Sequence, residues 1–182
     1  MRVVGGKYKG RRFQPPKKFP SRPTTDFAKE ALFNILENRF DLDEASVLDL
    51  FAGTGNISLE FISHGTKSVL SIDKHPLCHK FILNTLTDLG TTNWYCLKKD
   101  VFTFCSECNE KFDIIFADPP YGLKGVNALP ELIFEHDLLA PEGLLIIEHG
   151  KEQQFGNKTH FVELRKYGGV HFSFFEVSDK SA

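Results

Sequence analysis

Val47-Leu48-Asp49-Leu50-Phe51-Ala52-Gly53-Thr54-Gly55-Asn56 decides the fold. An apolar run of strand length empties into a Gly-x-Gly turn, and a helical segment from Ile57 to Ser63 follows at once. A strand that turns on glycines into a helix is the first half of a βαβ unit. The pattern continues outward: a strand Ser68 to Asp73, a helix Pro76 to Leu89, a strand near Trp94 to Leu97, a strand Phe112 to Ala117, a helix around Ala128 to His136 and a strand Gly143 to Glu148. These short runs lack polar alternation, which suits parallel strands buried on both faces. Phe161 to Lys166 and Val170 to Val177, separated by Tyr167-Gly168-Gly169, read as an antiparallel hairpin closing the sheet edge. The expectation is an α/β protein of Rossmann-like type, with a mostly parallel seven-stranded sheet.

In such a sheet the ligand lies outside the carboxyl ends of the strands, where strand order reverses. Gly53 and Gly55 allow a tight turn and a close approach of ligand to backbone. A dinucleotide fingerprint needs a third glycine where this chain has Ser58, and no Gly-Lys-Ser/Thr is present for a triphosphate. Asp73, 18 residues beyond Gly55 at the end of the second strand, stands where a carboxylate grips ribose hydroxyls. Asp100, after the third strand, can accept from an adenine amino group or cap a helix; its position suits both. The predicted ligand carries a ribose and no pyrophosphate.

Asp118-Pro119-Pro120-Tyr121 directly follows the strand Phe112 to Ala117. Two prolines remove two donors and fix two φ angles, so the carbonyls of Asp118 and Pro119 are not consumed by a continuing helix. A carboxylate and a carbonyl can then receive both hydrogens of an exocyclic amino group, while Tyr121 offers a ring for a flat base. An aryl or amide nitrogen is a poor nucleophile because its lone pair is delocalised. Two acceptors on its hydrogens favour a pyramidal nitrogen as it attacks an electrophilic methyl.

Charge is divided unevenly over the 182 residues, whose net is -2. Residues 1–22 carry Arg2, Lys7, Lys9, Arg11, Arg12, Lys17, Lys18 and Arg22 and no carboxylate; the remainder holds 14 basic against 24 acidic side chains. A basic arm is attached to an acidic body, and a polyanion is the partner such an arm suits. Short β-prone runs at Arg2 to Gly6 and Arg11 to Phe13 flank a Gly/Lys turn, and a helix begins near Asp26 behind Thr24 or Thr25 as cap. The expected division is a basic arm over 1–23, suited to a polyanion, and an α/β domain over 24–182. No apolar run reaches the length of a membrane span or secretion signal, so a cytoplasmic protein without membrane contact is expected. Cys105-x2-Cys108 and the His75, Cys78, His79 group lack the further ligands of a metal site, so none is expected.

The Asp49 to Asn56 loop, Asp73, Asp100 and Asp118 to Tyr121 together resemble the class I S-adenosylmethionine-dependent methyltransferases that act on exocyclic or amide nitrogens. Arg2-Val3-Val4-Gly5-Gly6, Lys9-Gly10-Arg11, Arg22-Pro23-Thr24-Thr25-Asp26 and Glu30-Ala31-Leu32-Phe33-Asn34 are similar to the RsmD-like family of bacterial 16S ribosomal RNA guanine-N2 methyltransferases. The resemblance implies S-adenosylmethionine as donor and N2 of one guanine in small-subunit RNA as acceptor, in an assembled or assembling subunit. It implies a cofactor set of Thr24, Asp49, Phe51, Gly53, Gly55, Asp73, Lys74, Asp100 and Val101. Asp118, Pro119, Pro120 and Tyr121 take the catalytic place, and Arg2, Lys7, Lys9, Arg11, Arg12 and Arg22 face RNA. Phe27 stands where the family usually has Arg, and Lys74 follows the ribose-binding Asp. Adenine-N6 DNA methylation and protein glutamine methylation are the other reactions open to such a loop, and a noncatalytic assembly factor the other class of function. The basic arm fits RNA best, and the short spacing after Pro120 leaves little room for a DNA-recognition insertion.

Overall fold

Leu48, Leu50, Ile115, Leu145 and Ile147 point to one side of a sheet, and Val47, Ile114, Phe116, Leu144 and Ile146 to the other, all almost wholly buried. Both faces must therefore be covered, and helices cover them. The computed structural model describes residues 1–16 and 24–177; Lys17, Lys18 and Arg22 of the basic arm lie outside the described residues. Its elements are α1 (Asp26–Arg39), β1 (Ser46–Leu50), α2 (Asn56–Ser63), β2 (Ser68–Ile72), α3 (Pro76–Leu89), β3 (Trp94–Leu97), α4 (Val101–Glu107), β4 (Phe112–Ala117), α5 (Leu129–Glu135), β5 (Leu139–His149), β6 (Phe161–Tyr167) and β7 (Val170–Glu176). The seven-stranded sheet runs β3-β2-β1-β4-β5-β7-β6, parallel from β3 to β5 and antiparallel through β7 and β6. This is the expected architecture. The order reverses between β1 and β4, which places a crevice outside their carboxyl ends.

Side chains of α1 and α2, with Ile82 of α3, form one apolar layer, and those of α4 and α5 the other. Two elements depart from the expectation. α4 fills a stretch for which the sequence pattern predicts no element beyond a candidate cap at Asp100: Asp100 accepts from the backbone N–H of Phe102 (3.1 Å) and Thr103 (3.3 Å) and so caps it. β5 begins at Leu139 rather than Gly143, because Leu139 pairs with Phe112 and an irregularity then absorbs the residues before Leu144. No helix of the described residues is long and apolar enough to cross a membrane.

Residues 1–16 do not stand apart from the body. Arg2 and Arg12 bridge as antiparallel partners, and Val3 and Val4 are buried. The Glu60 carboxylate of α2 accepts from the N–H of Val4 (2.9 Å) and Gly5 (2.7 Å), and Lys29 of α1 reaches the same carboxylate at 3.0 Å and the Arg2 carbonyl at 2.5 Å. Lys29 and Glu60 are both fully buried, so the pair clamps the arm against α1 and α2.

Candidate active site

The carboxyl ends of β1, β2, β3 and β4 open onto one cleft of about 360 Å3. At β1, Asp49 accepts from the Ser58 N–H (3.1 Å) and hydroxyl, which ties the strand end to the first turn of α2. The chain then turns through Phe51, a non-glycine residue at φ 62°, and Gly53 at φ 55°. A bulky side chain held in that region is strained, and such strain concentrates at ligand-binding turns. The Gly53 N–H donates to Asp73 Oδ2 (2.8 Å) and the His75 N–H to Asp73 Oδ1 (2.7 Å), so the β2 carboxylate is held by two backbone donors from opposite sides. Each oxygen keeps acceptor capacity for a hydroxyl. Asp100 uses Oδ1 as the α4 cap, while its other oxygen lies 3.6 Å from Lys74 Nζ. Both alternatives read for Asp100 are thus compatible in one side chain.

Thr24, Asp49, Phe51, Gly53, Asp73, Lys74, Asp100, Val101 and Asp118 to Tyr121 all line this cleft. Gly55 does not: its φ of 70° starts α2, and a Cβ there would come within 2.8 Å of the Trp94 ring and 2.9 Å of Ile82. The expected approach of Gly55 to the ligand is corrected to a packing role, which lets α2 sit against Trp94. Apolar lining comes from Phe51, Ile57, Val101 and Phe116. Arg2, Lys7, Lys9, Arg11 and Arg12 are exposed on the arm outside the cleft, and Arg2 pairs with Asp26 at 2.8 Å. Arg22 lies outside the described residues.

Sequence reasoning misses Glu148. Ala117 pairs with Ile147 in parallel register, so Asp118 and Glu148 follow side by side at the ends of β4 and β5. Glu148 accepts from the Thr24 hydroxyl (2.7 Å) and is 8% exposed. Burial pushes the Asp49 and Glu148 carboxyls up to about 7 each. Burial, then the charges of Glu148 and Asp49, raises Asp118 well above the usual carboxylate range. The one signal for Glu148 in the sequence is a carboxylate closing the apolar run Leu144 to Ile147.

The residues present suit a ligand of adenosyl type. Asp73 has two immobilised acceptors for vicinal hydroxyls, Asp100 a second oxygen that faces Lys74 and keeps acceptor capacity for an amino group, and the apolar walls accept a flat ring and a thioether-like chain. Carboxylates bordering the cleft on several strand ends also favour a cationic centre over a phosphate.

A family model described as Conserved hypothetical protein 95 matches residues 1–176. YlbH of Bacillus subtilis, named as a putative rRNA methyltransferase, is 31% identical over 156 residues, 84% of each chain. The Ribosomal RNA small subunit methyltransferase D of Escherichia coli is 28% identical over 148 residues, 81% of this chain and 74% of that one. A hypothetical protein from Thermus thermophilus superposes with a TM-score of 0.85 at 27% identity, covering 97% of this chain and 99% of its own. The T. thermophilus 16S rRNA N2 G1207 methyltransferase RsmC, solved with AdoMet and guanosine, shares the fold at a TM-score of 0.72 and 20% identity, over 97% of this chain and 49% of its own. Since one match runs from the basic arm through the glycine turn and the Asp118 to Tyr121 loop to β7, the chain belongs to the Conserved hypothetical protein 95 family.

Proposed function

We propose that this chain transfers a methyl group from S-adenosylmethionine to the exocyclic N2 of a guanine in small-subunit ribosomal RNA. The observation that carries the reading is the shared cleft: Asp73 and Asp100 stand at the ends of β2 and β3, and Asp118 with Pro119 at the end of β4. One half suits an adenosyl group and the other a planar amine. The E. coli relative bears the name of a small-subunit ribosomal RNA methyltransferase, which supports RNA as the acceptor.

Gly53, Asp73, Asp100 and Val101 hold the cofactor in this reading, which supplies an electrophilic methyl on a sulfonium sulfur. The chain does the rest by position and charge. Asp118 and the Pro119 carbonyl accept the two hydrogens of the amine and draw its lone pair out of conjugation. Tyr121, 79% exposed at the rim, offers its ring to the base. Asp118 has a raised proton affinity and stands beside Glu148, so it is placed to take the proton that the amine loses. Residues 122–128 connect Tyr121 to α5 directly and leave no room for a separate base-recognition insertion. Lys7 and Arg11 lie over the Tyr8 ring (5.3 and 5.6 Å) and Arg11 over Phe13 (5.5 Å), which holds these cations outward for phosphates. Domain 1–23 is then the RNA-gripping arm and 24–182 the catalytic body.

The test is transfer of labelled methyl from S-adenosylmethionine to small-subunit RNA, naked and in particles, followed by nucleoside mass spectrometry. N2-methylguanosine is expected; N6-methyladenosine, or no product, overturns the assignment. Asp118→Ala is expected to lower turnover by about 100-fold or more, the scale of losing one preorganised polar partner, while S-adenosylhomocysteine still binds.

A further inference from the structure

Phe27 and Tyr121 are the most exposed aromatic side chains among the described residues, at 67% and 79%. Tyr121 belongs to the cleft; Phe27 has no part in the chemistry above. It sits in the first turn of α1, just after the cleft-lining Thr24, and meets the Tyr167 ring edge-on with centroids 5.9 Å apart. Tyr167 ends β6 and in turn packs on Phe172 at 5.8 Å. The hairpin turn that carries it lies at the cleft end of the sheet, because β7 runs antiparallel to β5 and His171 pairs with His149.

Two lysines neighbour these aromatics and the cleft. The Tyr121 ring lies against the Gly150 backbone, where an added Cβ would be 3.1 Å from its Cε1, and Lys151 comes next in the chain. His171 pairs across the hairpin with Lys166, and both Lys166 and Lys151 are near enough to depress its affinity for a proton, after burial. Lys151 and Lys166 are exposed, and neither is in an ion pair among the described residues. Of the α1 carboxylates near Phe27, Asp26 is engaged by Arg2, while Glu30, one turn on, is exposed. Two exposed rings, Phe27 and Tyr121, the half-buried Tyr167 and two cations outside any ion pair among the described residues offer what single-stranded nucleic acid recognises: every base has a face to stack, and every phosphate needs a counter-charge.

We propose that Phe27 and Tyr167, with Lys151 and Lys166, form a stacking track for the unpaired nucleotides flanking the target base, entering or leaving the cleft past Tyr121. The inference rests on the RNA reading and extends it: the acceptor guanine is presented in a single-stranded or splayed segment, gripped on its flank by this face as well as by the arm. An acidic peptide meets these lysines equally but offers no succession of flat faces to Phe27, Tyr167 and Tyr121.

The experiment uses the full chain, saturated with S-adenosylhomocysteine, and a fluorescently labelled single-stranded RNA of about 12 nucleotides, enough to span one such site, with one central guanine, read by anisotropy. Phe27→Ala is expected to weaken binding about tenfold, within the range of one lost base stack, and Phe27→Trp to restore it. Lys151→Glu with Lys166→Glu is expected to weaken it further and to flatten its salt dependence. Thermal stability and S-adenosylhomocysteine affinity of Phe27→Ala are measured alongside and stay at the wild-type values. Equal RNA affinity for wild type and Phe27→Ala overturns the track, as does a wild-type chain that does not bind the oligonucleotide. Methyl transfer to small-subunit RNA by the wild type is scored separately. Failure there with a Phe27-dependent RNA affinity counts against the reaction and leaves the track standing. Transfer with an unchanged KM and RNA affinity in Phe27→Ala counts against the track alone.

Discussion

Three carboxylates, Asp49, Asp118 and Glu148, end the central strands on the same face of the sheet, and their shared burial sets how they titrate. An acid whose folded proton affinity exceeds its unfolded one stabilises the fold below the unfolded value and loses that contribution as pH rises through the folded one. Asp49 moves from 3.8 to about 7, so stability falls over this window, by at most about 1.4 kcal/mol per pH unit for one group. Urea unfolding at several pH values across that window measures it, and Asp49→Asn is expected to flatten the slope. The like charge of Glu148 raises Asp118, so Glu148→Gln moves the acid limb of the kcat profile to lower pH. An unmoved limb separates Glu148 from the titrating group. Asp118 is legible because two prolines and a tyrosine mark its loop. Glu148 is not, since what makes it chemical is the β4–β5 register, a long-range pairing that a single strand does not encode.

α2 shows how an element depends on residues that look like surface in sequence. Gly55→Ala forces a Cβ into a left-handed residue and against Trp94 and Ile82, and about 3 kcal/mol of stability is expected to be lost, read as a drop in Tm. S-adenosylhomocysteine affinity then falls only through the displaced turn, because Gly55 is not in the lining. Strands β1, β2 and β4 are readable from apolar runs because their side chains are largely covered on both faces of the sheet; β3, at the sheet edge, buries Trp94 and leaves Tyr95 and Leu97 exposed. α4 escapes because Val101–Glu107 is too short for a helical period to be counted, leaving only Asp100 as its cap to announce it. Lys29 escapes for another reason: a lysine on an amphipathic helix reads as solvated, and its burial is tenable because the Glu60 carboxylate and Asn56 of α2 and the Arg2 carbonyl all accept from it. Replacing Lys29 by Met leaves that carboxylate buried and without its cation, a loss of about 3–5 kcal/mol, whereas Lys29→Met with Glu60→Leu is expected to recover much of it.

At the scale of the molecule, charge is sorted: carboxylates gather round the cleft, while the arm and the Lys151–Lys166 face are cationic. A net of -2 conceals this division. The arm is legible as a run of cations, but its attachment is not, because the backbone N–H groups of Val4 and Gly5 that bind Glu60 carry no side-chain signal. That attachment bears on affinity. Lys7, Lys9, Arg11 and Arg12 project from a segment whose backbone is already fixed, so gripping phosphates costs little further ordering, whereas a free tail would lose chain entropy on binding. About five phosphate contacts to single-stranded RNA, at about 0.7 each, give a slope near -3.5 for log affinity against log salt. Arg11→Gln with Arg12→Gln is expected to reduce the slope by about 1.4 while leaving S-adenosylhomocysteine binding and Tm unchanged, since both side chains lie outside the cleft and the core. A wild-type slope near zero contradicts phosphate gripping, and a normal slope unaltered by the double replacement moves the contacts off the arm to the face around Lys151 and Lys166.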